Sequence, residues 1–373
     1  MPDLTIGSTG IQYHNLVADG GFMSTSIAAR NLDCGVYALD TLELTDKLTV
    51  TAGLRFNSAQ ISMYDRMGVR LNSDALYQRV NPTAGLSYNF IPEFTDYGNC
   101  SEANRAPTPL ENGCADPSHP CLIDNFLVSD PPLKQVVTRT GEIGFRGRHD
   151  IGVEYGDAKG RLEYRVGLFR AVNSDDILSL PSNVMTGRGY YANVGATRRE
   201  GVEVETSWRN DRLSLYANYA LIDATFRTAF TSDSENDPFT DANGQIHVKP
   251  GNAMPGIPRH RVKLGFDYYI TPQWRFGADY VYTSGVQLHG DEANLDRPLP
   301  GRGVVNIETS CKVTENVEVY AVAQNIGNQK YYSYGTCFDN AGNATSSAPG
   351  FTNSRMVGPG APVTMFGGVK VKF

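Results

Sequence analysis

Residues able to do chemistry are sparse in this chain and poorly spaced for it. Six histidines stand at 14, 119, 149, 247, 260 and 289, and none pair at metal-ligand spacing. His289 is followed by Asp291 and Glu292, a set that could hold a cation, although a solvated loop has the same composition. Asp233, Glu235, Asp237 and Asp241, ahead of Asn243-Gly244, hint at calcium but lack the ligand spacing of an EF-hand loop. A plain acidic surface loop is the other reading. Arg105 opens the block Arg105-Ala106-Pro107 and could meet an anionic ligand or be tied to a neighbouring strand. Tyr190, Tyr191, Tyr331, Tyr332 and Tyr334 could be ligand platforms or interfacial aromatics. No nucleophile–base motif, phosphate loop or paired carboxylate stands out, and a hydrolase would need a positioned Ser and His. The expectation is a protein that is not an enzyme, with no cofactor and no bound metal of its own.

Cysteines stand at 34, 100, 114, 121, 311 and 337. The segment Cys114-Ala-Asp-Pro-Ser-His-Pro-Cys121 is short enough to close as a disulfide, and the other four have no such local partner. Zinc is the rival for paired cysteines, but no Cys-x-x-Cys occurs. A net charge of −7 over 373 residues argues against a nucleic-acid partner held through its phosphates. No apolar run approaches the roughly 18 residues of a spanning helix. That criterion is blind to barrels, whose strands are apolar on one face only.

The elements that would position these residues are strands. From Val363 to Phe373, Val363, Met365, Val369, Val371 and Phe373 fall on one face with Gly367, while Thr364, Phe366, Gly368, Lys370 and Lys372 fall on the other. The same period of two runs through residues 47–57, 80–90, 161–168, 202–209, 261–270 and 274–282. Tight turns are expected at Thr45-Asp46, Ile91-Pro92-Glu93, Gly156 to Gly160, Asn210-Asp211, Thr271-Pro272 and Thr314-Glu315. Between them lie longer connections near 68–76, 107–135, 179–190, 228–258, 287–301 and 333–361. Short and long alternate along the chain, as the two rims of a transmembrane barrel require. The pattern predicts an all-β, antiparallel, up-and-down transmembrane β-barrel, partial, with about thirteen strands. Residues 1–33 read as loop or a truncated barrel segment, and 34–373 as barrel.

Several blocks then carry a resemblance. Leu48-Thr-Val-Thr-Ala-Gly-Leu-Arg-Phe56, the Arg105-Ala-Pro block, Glu142-Ile-Gly-Phe-Arg-Gly147, Arg199-Glu-Gly-Val-Glu-Val-Glu205 and Asn325-Ile-Gly-Asn-Gln-Lys-Tyr-Tyr332 resemble, in order, the C-terminal part of a TonB-dependent outer-membrane receptor. Terminal Phe373 fits as well. The resemblance implies a barrel of about 22 strands filled by a plug domain, with uptake of a scarce ligand, most often a ferric siderophore. A passive pore and a non-enzymatic surface-binding barrel are the alternatives. Implied partners are outer-membrane lipid, the TonB complex, the barrel assembly machinery and a small-molecule metal chelate. In that setting Arg105, Tyr190, Tyr191, His289 and Tyr334 become ligand-contact candidates, and Val369, Val371 and Phe373 the membrane-assembly signal.

The plug, the TonB-contacting box, a signal peptide and about the first nine strands have no counterpart here. The expectation is therefore a piece of a longer receptor that does not by itself perform coupled uptake. The compartment is oxidising, which predicts a Cys114–Cys121 disulfide in an extracellular loop. Leu54, Phe56, Leu86, Leu168, Val204, Leu264, Phe276, Val369 and Val371 should face lipid. Arg55, Glu163, Arg165, Glu203, Glu205, Lys263, Arg275 and Asp279 should face the lumen. A slip of one residue would reverse every assignment.

Overall fold

The computed structural model describes residues 3–7, 10–14, 26–68, 72–115, 133–152, 159–181, 189–233, 239–337 and 355–372. Strands β1 (Asp3–Gly7) and β2 (Gly10–His14) pair as a short hairpin. Long strands follow: β3 (Ile27–Glu43), β4 (Leu48–Asp65), β5 (Ser73–Ile91) and β6 (Phe94–Arg105), then one helical turn, α1 (Pro109–Asn112). After β7 (Val136–Gly152) and β8 (Lys159–Ser174) comes a small hairpin of β9 (Ile177–Pro181) and β10 (Gly189–Asn193). Strands β11 (Thr197–Arg209) and β12 (Leu213–Phe226) lead to a second small hairpin, β13 (Phe230–Asp233) with β14 (Gln245–Val248). Strands β15 (His260–Thr271), β16 (Trp274–Thr283), β17 (Arg302–Lys312) and β18 (Val317–Gln324) complete the run. A third small hairpin, β19 (Tyr332–Cys337) with β20 (Arg355–Pro359), precedes the terminal strand β21 (Thr364–Val371).

Thirteen of these strands form one antiparallel sheet in sequence order from β3 to β21, the small hairpins standing apart from it. The sheet is not closed: β3 and β21 are its two edges. Most of its strands equal or exceed the roughly 9–11 residues that span a bilayer at a tilt. β3 starts at Ile27, earlier than the expected 34, because its pairing extends to Ile27 opposite Asp65 through residues with no apolar alternation.

The connections at one end of the sheet are 44–47, 92–93, 153–158, 210–212, 272–273 and 313–316. Those at the other are 66–72, 106–135, 175–196, 227–259, 284–301 and 325–363. Four of the short turns share one device. Thr45 Oγ1 accepts from the backbone N–H of Lys47 and Leu48 at 3.2 and 3.0 Å, and Asn210 Oδ1 from Arg212 and Leu213 at 2.9 and 2.7 Å. Thr271 Oγ1 does the same for Gln273 and Trp274, and Thr314 Oγ1 for Asn316 and Val317. A short side-chain acceptor replaces the missing ladder partner, which is why Thr and Asn open these turns.

Residues directly opposite in a sheet share a face. Val204 lies opposite Val166 and Tyr219, Tyr219 opposite Val262, and Val262 opposite Tyr282. Leu168 lies opposite Ile143 and Val202, and Val369 opposite Val319. On the other face Glu205 lies opposite Arg165 and Asn218, and Asn218 opposite Lys263. The apolar and polar sets therefore separate as the alternation predicts. Leu54, Leu264 and Val369 are 57%, 45% and 62% exposed, whereas Val204 and Phe276 are half-buried by their neighbours. Exposed apolar area on this scale marks a surface whose solvent is not water.

Candidate functional site

Two regions could handle a ligand: the polar face of the sheet, and the layer of long connections at one end. The polar face is held by charge networks. Tyr97 lies over Gly144, where a Cβ would come within 2.7 Å of its hydroxyl. From there it donates to Glu142 Oε1 at 2.7 Å and accepts from Arg165 Nε at 3.0 Å, while Arg165 Nη2 reaches the same carboxylate at 2.9 Å. Arg275 sits between Asp267 and Glu308 at 2.8 and 2.9 Å, and Asp279 accepts from Asn306. Arg146, Arg148, Glu163, Arg165 and Glu205 line a concavity of about 730 Å³ at the short-turn end. Such a face suits contact with water.

The long connections pack into a layer with cores of their own. Phe226 is fully buried and meets Phe230 edge-on at 5.2 Å. It joins Ala224, Ile246, Val248, Met254 and Ala293 in one cluster, against which Leu178 of β9 packs. A second cluster joins Ala115, Leu133, Val136 and Ile177 to Tyr191. Asp296 and Arg355 form a largely buried ion pair at 2.5 Å between two of the connections.

Within this layer the sequence candidates take specific places. Arg105 is paired at 2.7 Å with Glu111, whose carboxylate also accepts from Thr108 N–H in a capping box at the start of α1. The pair ties the end of β6 to the start of α1. Tyr191 donates its backbone N–H to Cys114 O at 2.5 Å. Burial pushes the phenols of Tyr190 and Tyr191 up, with help from the carboxylates of Asp233 and Glu111 respectively. His289 stacks on Tyr334 with ring centroids 5.9 Å apart, and its carbonyl accepts from Cys337 N–H at 2.7 Å. Gly256, at φ +71°, passes so close that a Cβ there would stand 2.8 Å from His289 Nε2. Desolvation by these neighbours pushes the imidazole below its ordinary value, although part of the ring stays exposed. Tyr334 is 53% exposed and presents a ring to solvent.

Asp291 is fully buried, and its two oxygens accept from the backbone N–H of Leu295 and Asp296 at 2.7 and 2.9 Å. It is a turn former, not part of a solvated loop. Asp241 accepts from Asn243 and Gln245 N–H and from His247, and those bonds hold its carboxyl below the usual range. Among the described residues no group of three or more His, Cys, Asp or Glu is placed to hold a metal. Glu235, Asp237, Cys121 and Phe373 lie outside the described residues. Cys114 is disulfide-bonded. Val369 and Val371 lie in β21, opposite Val319 and Val317.

One contributor had no signal in the sequence. Asp176, buried beside β9, takes a hydrogen bond from Thr197 Oγ1 at 2.5 Å and faces Arg199 at 3.6 Å. Thr197 and Arg199 lie on β11 and reach Asp176 only through the fold, while Asn173 of β8 donates to it at 3.2 Å from nearby in sequence.

The family described as TonB dependent receptor-like, beta-barrel, matches residues 3–326. The chain is 23% identical over 304 residues to the probable TonB-dependent siderophore receptor PiuA of Acinetobacter baumannii, covering 80% of this chain and 37% of that protein. The crystal structure of the siderophore receptor PiuA from Acinetobacter baumannii superposes with a TM-score of 0.68 at 16% identity, over 99% of this chain and 50% of that one. The ferric citrate transporter FecA in its unliganded form gives 0.66 at 18% identity, over 98% and 47%. The copper transporter OprC gives 0.65 at 17%, over 92% and 48%. At such identities these structures show the fold. The chain spans half or less of the length of each of these relatives.

Proposed function

The chain belongs to the TonB-dependent receptor-like β-barrel family, and from that premise we propose that it serves in the outer-membrane uptake of a scarce ligand, a ferric siderophore. The observation that carries this reading is the similarity to the siderophore receptor PiuA, found in sequence over 304 residues and in fold over 99% of the chain. The two-faced sheet supports it. The apolar face suits contact with lipid, and the polar face suits a lumen through which a chelate passes. Energy would come through the TonB complex acting on the complete receptor. The barrel assembly machinery would read the terminal strand with Val369, Val371 and Phe373.

The outer layer is the ligand's first contact in this reading. Tyr334 and His289 offer it an exposed aromatic edge, while Tyr190, Tyr191 and Arg105 shape the layer from within. Cys121 is the proposed partner of Cys114, closing the 106–135 connection near α1.

The test is growth and uptake under iron limitation, comparing cells with the intact gene encoding this chain to cells in which it is deleted. Uptake of radiolabelled ferric chelates should fall on deletion and should also fall when a protonophore removes the proton gradient. Uptake unaffected by deletion for every siderophore tried would contradict the reading.

A further inference from the structure

On the apolar face of the sheet the hydrophobic rows stop abruptly toward the long connections. Leu86, Gly98, Ile143, Leu168, Val202 and Leu221 stand in one row, each opposite the next across neighbouring strands. The next row on that face reads Ala84, Cys100, Gly141, Arg170, Glu200 and Asp223. One row further, Glu102 lies opposite Arg139, and Val172 opposite Arg198. Two features meet at this boundary. On β5–β8 the small residues leave a groove of about 660 Å³, flanked by Leu86 and Ile143 and ending at Arg170. A Cβ added to Gly141 would meet nothing within 4 Å. Beside the groove, three carboxylates each hold two guanidinium groups. Glu102 holds Arg79 and Arg139 at 2.6 and 2.8 Å, Glu200 holds Arg170 and Arg198 at 3.6 and 2.9 Å, and Asp223 holds Arg198 and Arg259 at 3.4 and 3.8 Å. The carboxylates lie beneath the cations: the Glu102 side chain is 14% exposed against 64% for Arg139, and Glu200 33% against 61% for Arg170.

We propose that this boundary binds one phosphorylated, acylated lipid of the outer leaflet, with Arg139 and Arg170 on its phosphate and an acyl chain in the groove. The inference rests on the outer-membrane reading above, and not on which ligand is taken up. Depth comes first. Arginine on a lipid-facing surface is costly at the bilayer midplane and nearly free at the interface, so the row from Arg170 to Asp223 belongs at headgroup level, on the rim that carries the long connections. Charge comes second. Five guanidinium groups share three carboxylates, and the cations are the more exposed partners, so the surface presented to a headgroup is positive. Geometry comes third. Arg139 and Arg170 both face their carboxylate through Nε, which leaves terminal N–H groups for a phosphate in the paired arrangement that guanidinium favours. Gly141 lies directly opposite Arg170, so the open groove starts where the phosphate would sit and runs toward the apolar rows. A free anion would use the arginines and leave the groove empty. A zwitterionic lipid would bring its own cation against them.

The experiment uses the full-length receptor from the intact gene, purified in detergent, with native mass spectrometry counting the lipid it retains. The probes are bisphosphorylated lipid A, the same lipid stripped of its phosphates, phosphatidylcholine and inorganic phosphate. The phosphorylated lipid should bind about tenfold or more tightly than the stripped form or phosphatidylcholine, the worth of one or two charge-assisted bonds. Arg139→Gln with Arg170→Gln should erase that preference, and Arg139→Lys with Arg170→Lys should keep part of it. Gly141→Leu points into open space and should fold; by filling the groove it should weaken all acylated probes alike. Heat-modifiable migration should show the variants assembled, and Gly141→Leu and the stripped lipid decide the matter even if the double glutamine variant does not assemble. Equal retention of the phosphorylated and stripped lipids would overturn the proposal. So would displacement of lipid A by inorganic phosphate with Gly141→Leu silent, which would mark a bare anion site. Chelate uptake by cells carrying the variants should stay at the level of the unaltered receptor, so the lipid site and the uptake reading fail separately.

Discussion

The outer layer and the strand wall obey opposite burial rules within one chain. In the layer, Phe226, Ile246, Val248 and Leu288 are almost fully buried, and even Asp291 is closed off from solvent. In the wall, Val36, Leu54, Ile143 and Val369 stand more than half exposed. Both sets are equally hydrophobic, so composition does not explain the difference. The layer behaves as a small water-soluble domain that must hide its apolar area from water. The wall behaves as a surface meant for hydrocarbon, where its task is to satisfy every backbone group through neighbouring strands. The same contrast explains where charge goes. Wall charges such as Arg165 and Glu142 sit on the polar face in networks, while the layer's Asp296–Arg355 pair is buried between connections.

The comparison predicts that substitutions fail for different reasons in the two regions. Phe226→Ala should have the largest effect, about 3–5 kcal/mol, because it removes a fully buried ring and leaves a cavity. Hydrogen exchange should show the loss confined to β12–β14 and the 284–301 connection, whatever lipid surrounds the barrel. Leu264→Arg, at mid-strand in β15, should cost about 2–4 kcal/mol, and that cost should depend on bilayer thickness in a lipid-based unfolding assay. If both variants responded alike to lipid, the two-solvent distinction would fail.

These two regions were not equally legible in the sequence. The wall announced itself through period-two alternation and through the Thr and Asn that open its turns, both local signals. The layer did not. The β9–β10, β13–β14 and β19–β20 hairpins fall largely within the long connections that the alternation leaves without strands. Phe226, Ile246, Met254 and Ala293 meet across long separations in sequence, and nothing in any one segment betrays the cluster. The start of β3 at Ile27 was missed for a similar reason, since pairing with β4 holds it rather than a hydrophobic pattern. The capping box Thr108-Pro-Leu-Glu111 holds Glu111 where Arg105 meets it, and Arg105 alone carried no sign of that partner.

Smaller effects sharpen the contrast. Cys114→Ser should cost the layer roughly 2–3 kcal/mol if Cys121 closes the short loop, by the chain-entropy relation. Non-reducing peptide mapping should recover the two cysteines together, and a free Cys121 thiol in exported protein would contradict that pairing. The smallest effect belongs to pH. His289 has a folded pKa below its ordinary value, so protons bind the unfolded state first. Docking of the 284–301 connection on β19 should be complete above the ordinary imidazole range and should loosen as pH falls through and below it. Exchange rates at Cys337 N–H, which donates to the His289 carbonyl, would report this. The wall should show no matching change.

The central claim is that one face of the sheet meets lipid and the other a wet lumen. A nitroxide scan along β15 from Val262 to Asp267, in reconstituted bilayers, tests it directly. Accessibility to oxygen should peak at Val262, Leu264 and Phe266, and accessibility to a water-soluble nickel chelate at Lys263, Gly265 and Asp267. A reversed alternation, or none, would contradict the account.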